Sequence, residues 1–357
     1  MEREIRVGVI GCGAIAQSVH LRILQDSSEF SLEALCDIDE DLLNAVGTRF
    51  GVTNRYTSYE DMLQTAPIDA VLVTTPHHIN PALHAIDAGK HVLIEKPLCY
   101  EPTAARELVA TAHRANVTVM VGYQKRHDAS FVAGIDRLRG IDRIRMSRVH
   151  DFAGRYGRDT ALFGLARPGS DLPADRDPEP SAGDAVRTLA PPLRSLHERM
   201  LRFACHDLSV ARAAFGEPAD ISSAHLIDDR TVLAVLTYHS VGPCVLELSL
   251  ATHYEWFDES ITVFGDEEQV CVRFADPFIP YTRSELSVMT AGPFGGWQES
   301  RLGGSFEDAF RREWRHFASC IRDGSLPVTD LESALADVEL MAGIFHAIKD
   351  VPNDTGT

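Results

Sequence analysis

The apolar run Ile5–Ile10 stops at Gly11-Cys12-Gly13-Ala14-Ile15-Ala16, and a helical pattern starts there and continues to about Gln25. A strand that turns this sharply into a helix needs small residues at three places, each for its own reason. Gly11 permits the tight turn, Gly13 lets backbone approach a pyrophosphate, and Ala16 lets the helix pack close to the strand. The backbone N–H groups of Ala14, Ile15 and Ala16 then face a phosphate charge at the helix N-terminus. Such a string alone is a weak signal. Its context adds weight, because Asp37 closes the next apolar run, Leu32–Cys36, about 20 residues on, where a carboxylate accepts hydrogen bonds from an adenosine ribose. Asp37 repels a 2′-phosphate and Ile38 offers no cation beside it, so NAD is expected as cofactor and NADP disfavoured.

The alternation continues. Apolar runs at Ala70–Val73, His91–Ile94 and Val117–Val121 are separated by helical patterns at Asp39–Phe50, Pro81–Ala88 and Glu101–Ala115, which is how a parallel α/β sheet reads. With 357 residues, two domains are expected. The first, 1–125, reads as a Rossmann dinucleotide-binding domain. The second, 126–357, reads as an α+β domain on an open, mainly antiparallel sheet. Its strands are expected at Arg143–Phe152, Val232–Tyr238, Cys244–Ala251, Ser260–Phe264 and Val270–Phe274, and its helices near His197–Phe215, Phe306–Arg322 and Asp330–Ala347, the last packing back on the first domain. Between them, 153–195 reads as an irregular loop holding Pro168, Pro173, Pro178, Pro180, Pro191 and Pro192. A loop this long serves as a lid or partner contact, or is mobile.

Charge and composition exclude several functions. A net charge of −18 argues against nucleic acid as a partner. No run approaches the ~20 apolar residues that span a bilayer, and the first residues show no signal-peptide pattern, so a cytoplasmic protein is expected. The seven cysteines are scattered without a C-x-x-C pair, which reads as small buried residues. No His, Cys or carboxylate cluster has ligand spacing, so no metal is expected.

Further residues occur in order: Thr74-Thr75-Pro76, His84, Ala88-Gly89-Lys90-His91-Val92 and Glu95-Lys96-Pro97. Together with the glycine turn they resemble the Gfo/Idh/MocA oxidoreductases, which include glucose–fructose oxidoreductase and inositol dehydrogenases. The resemblance implies that Lys96 sits in the active site against the reacting oxygen and that Pro97 shapes its loop. It also implies that Thr74, Thr75, Pro76, His78, Glu95, Lys96 and Pro97 line the dinucleotide. The chemistry agrees, since hydride removal from a secondary alcohol needs a cation at the developing alkoxide. The carboxyl end of a parallel strand is where such a sheet binds its ligand. In relatives the segment Gly122–Arg126 lines the substrate pocket, which makes Tyr123 and Arg126 either substrate contacts or packing residues. His253, Tyr254 and Trp256 wall a pocket or pack an interface.

Sugar- and cyclitol-oxidising relatives carry Asp-x-x-x-His on a helix of the second domain, one turn apart on one face. Here His206 aligns with the histidine, but the position four residues earlier is Arg202, and a family aspartate three residues later is Ser209. Asp207 lies some 100° around the helix and is no simple substitute. An arginine at position 202 cannot act as base, yet it can bind a carboxylate or phosphate of the substrate. The expected enzyme is therefore an NAD-dependent dehydrogenase or reductase of a sugar, sugar derivative or cyclitol, with His206 as general base beside Lys96. A biosynthetic ketoreductase on a charged, nucleotide-linked or amino sugar is the first alternative. A catalytically impaired NAD-binding sensor or assembly protein is the second. The resemblance further implies a homo-dimer or homo-tetramer formed through the flat face of the second sheet.

Overall fold

The computed structural model describes residues 3–152, 154, 164–169, 184–250, 256–279 and 282–349. Their contacts divide into two compact units. The first holds the chain through Tyr123, the piece 164–169 and Phe310–Leu335. The second begins at Gln124 and takes the rest, including the last helix from Ala336.

The first unit is built on six parallel strands: β1 (Ile5–Ile10), β2 (Phe30–Cys36), β3 (Asn54–Tyr56), β4 (Ala70–Val73), β5 (His91–Glu95) and β6 (Val119–Gly122). Their order is β3-β2-β1-β4-β5-β6, which reverses direction at β1 and opens a crevice at the strands' carboxyl ends. β4 and β6 are buried at every position and β1 and β5 at all but one. Their sequences are correspondingly near-continuous apolar runs, because helices cover both faces of a parallel sheet. Helix boundaries follow local chemistry. Asp39 caps Glu40–Phe50 by accepting the Leu42 N–H, and Gly51 ends it in the left-handed region at φ 71°, as the sequence suggests.

The second unit carries eight strands: β7 (Ile144–Phe152), β8 (Asp220–Leu226), β9 (Thr231–Thr237), β10 (Cys244–Ser249), β11 (Asp258–Gly265), β12 (Glu268–Arg273), β13 (Glu285–Ala291) and β14 (Trp297–Gly303). Their order is β14-β13-β12-β11-β7-β10-β9-β8. Every neighbouring pair is antiparallel except β7 with β10, which run parallel. The sheet is thus mainly antiparallel, as expected.

One boundary corrects the sequence reading. The irregular stretch does not extend to Ser195, because helix Asp184–Arg187 precedes a 25-residue helix over Pro191–Phe215. Pro191 and Pro192 occupy its first turn, where the missing N–H has no helical partner to lose and the fixed φ suits the helix. Pro173, Pro178 and Pro180 lie outside the described residues. None of the seven cysteines is in a disulfide. Among the described residues no helix is long and apolar enough to cross a membrane.

Candidate active site

The first unit gathers its functional residues at the carboxyl ends of β1, β2, β4 and β5. Gly11 holds φ of +97°, and a Cβ there would sit 2.9 Å from Thr74 Oγ1, so glycine is demanded by conformation and by space. Thr74 Oγ1 donates to the Gly11 carbonyl at 2.7 Å, tying the end of β4 to the turn. At Gly13 a Cβ would meet nothing within 4 Å, which leaves the backbone open to the close approach a pyrophosphate needs. The helix that follows is α-helical at Ala14 and Ile15, π-helical over Ala16–His20 and α-helical again over Leu21–Asp26, a local widening frequent at functional sites.

Asp37 follows the end of β2, and its carboxylate has structural partners of its own. One oxygen accepts the Cys12 N–H at 2.7 Å and the other the Asp39 N–H at 2.9 Å, so the carboxylate staples β2 to the glycine turn. Burial pushes its pKa above the ordinary carboxylate value against the pull of these amide donors. Each oxygen keeps a second lone pair for a ligand. Beside it, the piece 164–169 is pinned at three points. Gln17 clasps the Ala166 peptide through both amide atoms at 3.0 and 2.9 Å, Gly169 N–H donates to Asp39 at 2.6 Å, and Arg49 donates to the Gly164 carbonyl at 3.1 Å.

Lys96 follows β5 and is fixed on both flanks. The Glu95 carboxylate is buried and accepts the Lys96 N–H at 3.0 Å through one oxygen and His20 Nε2 at 2.8 Å through the other. The adjacent Lys96–Pro97 peptide is cis. Beyond it, His78 Nδ1 is 2.9 Å from the Pro97 carbonyl. Burial lowers the His78 pKa to about 4, so the neutral ring donates from Nδ1 and braces the turn. Thr75 Oγ1 donates to the His77 carbonyl at 2.7 Å, and Pro76 is exposed. Tyr123 is wholly buried, which favours the packing alternative of the two read from sequence.

In the second unit, His206 lies on the long helix Pro191–Phe215 and is 8% exposed. Arg202, one turn earlier, is exposed with Glu198 3.6 Å away. Ser209 is fully buried, and Arg126 donates to its hydroxyl at 3.3 Å. Arg126 therefore anchors the helix one turn past His206. Asp207 turns to another purpose. It lies 3.9 Å from Lys125 Nζ, which also pairs with Glu259, and Asp151 joins them, the three carboxylates lying within 4.8 Å of one another. They come from a helix and two strands far apart in sequence, which no ligand spacing could reveal, and Lys125 pairs with two of them, Asp207 and Glu259. His253 and Tyr254 lie outside the described residues, and Trp256 is exposed.

His20, Gln17, Asp151 and Glu259 are not singled out by the sequence. For His20 a signal existed: it stands four residues after Ala16 and so shares its inward helical face.

Residues 5–123 match an oxidoreductase family with an NAD-binding Rossmann fold. The chain is 32% identical to the uncharacterized oxidoreductase ORF334 of Rhizobium meliloti, with 95% of this chain and 96% of the relative covered. It is 24% identical to the myo-inositol 2-dehydrogenase of Thermotoga maritima over 92% of this chain and 91% of the relative. Among solved structures, a 3-ketoreductase from Actinomadura kijaniata in complex with NADP and TDP-benzene has the same fold. Its TM-score is 0.75 at 21% identity, with 98% of this chain and 99% of that one covered.

Proposed function

The chain belongs to the Gfo/Idh/MocA family of oxidoreductases, and from that premise we propose that it moves hydride between NAD and a secondary alcohol or ketone of a sugar, sugar derivative or cyclitol. The observation that carries this reading is the doubly braced Lys96, held by Glu95 on one side and by the His78–Pro97 contact on the other. A lysine whose backbone is braced in this way after a parallel strand, in the unit that carries the glycine turn, supports a cation directed at an alkoxide that exists only in the transition state.

The dinucleotide fits the residues present. The open backbone at Gly13 and the first-turn N–H groups of Ala14, Ile15 and Ala16 receive the pyrophosphate, and Asp37 the ribose. Thr74, Thr75, Pro76 and the Glu95–Pro97 turn flank the nicotinamide half. NAD, when bound, supplies the hydride acceptor. Asp37 supports NAD over NADP by charge. Lys96 stabilises the negative oxygen, and His206 takes its proton. His206 suits the task because an ordinary imidazole exchanges protons near neutral pH. Arg202, exposed one turn before His206, supports a second reading in which the substrate carries a carboxylate or phosphate.

The test is NADH formation from polyols, cyclitols, sugars and sugar phosphates, followed by NADH consumption with the matching ketones, each repeated with NADP(H). Lys96→Ala is expected to lower kcat by about 10²–10³-fold, and His206→Ala by about 10²-fold or more. Wild-type turnover in either variant removes that residue from the mechanism. Tight NADH binding with silence on both panels makes the protein a dinucleotide-binding sensor instead.

A further inference from the structure

A carboxylate as deeply buried as Glu95 persists as an anion only if its oxygens are hydrogen-bonded. The Lys96 N–H satisfies one oxygen and His20 the other, which leaves the question of what orients His20. Its second ring nitrogen answers it. Trp314, on helix Ala309–Asp323, places its indole Nε1 3.0 Å from His20 Nδ1. An indole N–H can only donate, so Nδ1 accepts and the imidazole proton resides on Nε2, facing Glu95. Every bond in the chain from Trp314 through His20 to Glu95 thus has a fixed direction. The rings themselves are immobilised by packing. Trp314 stands edge-on to Phe30 at 4.9 Å and to Phe317 at 6.0 Å, and His20 edge-on to Phe310 at 5.7 Å. Both His20 and Trp314 are essentially inaccessible to solvent.

We propose that His20 and Trp314 are positioning residues for Lys96. Neither touches a reacting atom. They hold the Glu95 carboxylate in the orientation that receives the Lys96 amide, and so fix the backbone from which the lysine side chain projects. The chain ties the first helix, the end of β5 and a helix almost 300 residues later in sequence to one peptide group. Its role in turnover rests on the reading of Lys96 given above, because a misplaced cation stabilises the alkoxide poorly, and about 1 Å of displacement costs up to ~10²-fold in rate.

The proposal is tested with Trp314→Phe, which keeps the ring packing and removes only the N–H, beside His20→Leu and His20→Gln. Glutamine presents an amide N–H where Nε2–H stands, so it serves as the rescue. Hydrogen exchange resolved at the Lys96 amide reads the geometry directly, and kcat and KM are measured with the most active compound of the panel above. In W314F and H20L the Lys96 amide is expected to exchange about tenfold faster while the amides of Val92–Ile94 keep wild-type rates. In both, kcat falls about tenfold or more with KM and NADH affinity little changed, and H20Q recovers most of both losses. In the wild type, 15N NMR of the His20 ring is expected to show a protonated Nε2 and a bare Nδ1, and the opposite tautomer overturns the assigned bond directions. Wild-type exchange at Lys96 in W314F and H20L overturns the proposal. So does faster exchange with unchanged kcat. An inactive K96A beside a fully active W314F sinks this inference alone, whereas a fully active K96A sinks the reading of Lys96 as well.

Discussion

Asp37 holds structure with the same carboxylate that, in the proposed function, sets the cofactor preference. Its oxygens already hold the amides of Cys12 and Asp39, so replacing it by a small apolar residue would loosen the glycine turn as well as change the cofactor site. Asp37→Asn is the smallest change that removes the charge, and it gives up one of the two accepted amide bonds because asparagine keeps a single accepting oxygen. It is expected to weaken NADH binding and to improve the NADPH-to-NADH affinity ratio about tenfold, or ~1.4 kcal/mol. Fluorescence titration with both dinucleotides measures this ratio. An unchanged ratio would mean that something other than the Asp37 charge sets the preference. At this scale the sequence is most legible where chemistry is local, as in Gly11, Gly13 and Asp37, which announce themselves by spacing. It is least legible where partners are remote. Trp314 meets His20 across 294 positions, and nothing in either neighbourhood signals the other.

Elements were legible in proportion to how completely their faces are buried. Strands β1, β4 and β5 are apolar at nearly every position and stand out at once. β14 reads Trp-Gln-Glu-Ser-Arg-Leu-Gly and is exposed at all but one position, so its pairing with β13 leaves no hydrophobic alternation to detect. The Lys125 cluster belongs to this scale too, since it joins the short helical turn Gln124–His127 to β7, β11 and the long helix. Lys125 pairs with Asp207 and Glu259 in this cluster. Lys125→Met keeps the apolar stem and strands like charges together in a low dielectric. It is expected to destabilise the second unit by about 3–5 kcal/mol, read from denaturant unfolding followed by circular dichroism. Double substitution with Glu259→Gln should recover part of the loss. A loss no smaller in the double variant would show that the lysine stem, not its charge, matters.

Across the whole molecule, pH acts on both units through the same device. His78 in the first unit and His197 in the second are buried neutral, each with its pKa lowered by burial to about 4. The unfolded chain takes up protons at such residues below about pH 6.5, whereas the folded chain does so only near pH 4. The contribution of each neutral histidine is therefore full above pH 6.5 and is lost as pH falls through that window, by on the order of 3 kcal/mol per histidine. Asp69 answers at lower pH. Its pairing with Arg6 holds its pKa near 2, so its contribution stands above the ordinary carboxylate value and disappears only as pH falls toward 2. Asp337 works the other way in the histidine window, because burial raises its pKa to about 7 and the folded chain takes up that proton before the unfolded one. His197 can be tested without touching the proposed site. It packs edge-on to Phe345 at 5.2 Å, and neither ring nitrogen has a hydrogen-bond partner among the described residues. Phenylalanine keeps the edge contact and removes two unsatisfied buried nitrogens, so His197→Phe is expected to raise stability at pH 7 by about 1–2 kcal/mol. It should also remove part of the loss between pH 6.5 and 4, the remainder being shared by His78, His91 and His316, whose pKa values burial also lowers. Guanidinium unfolding at a series of pH values measures both effects. An unchanged acid limb in the variant would place that proton uptake elsewhere in the molecule.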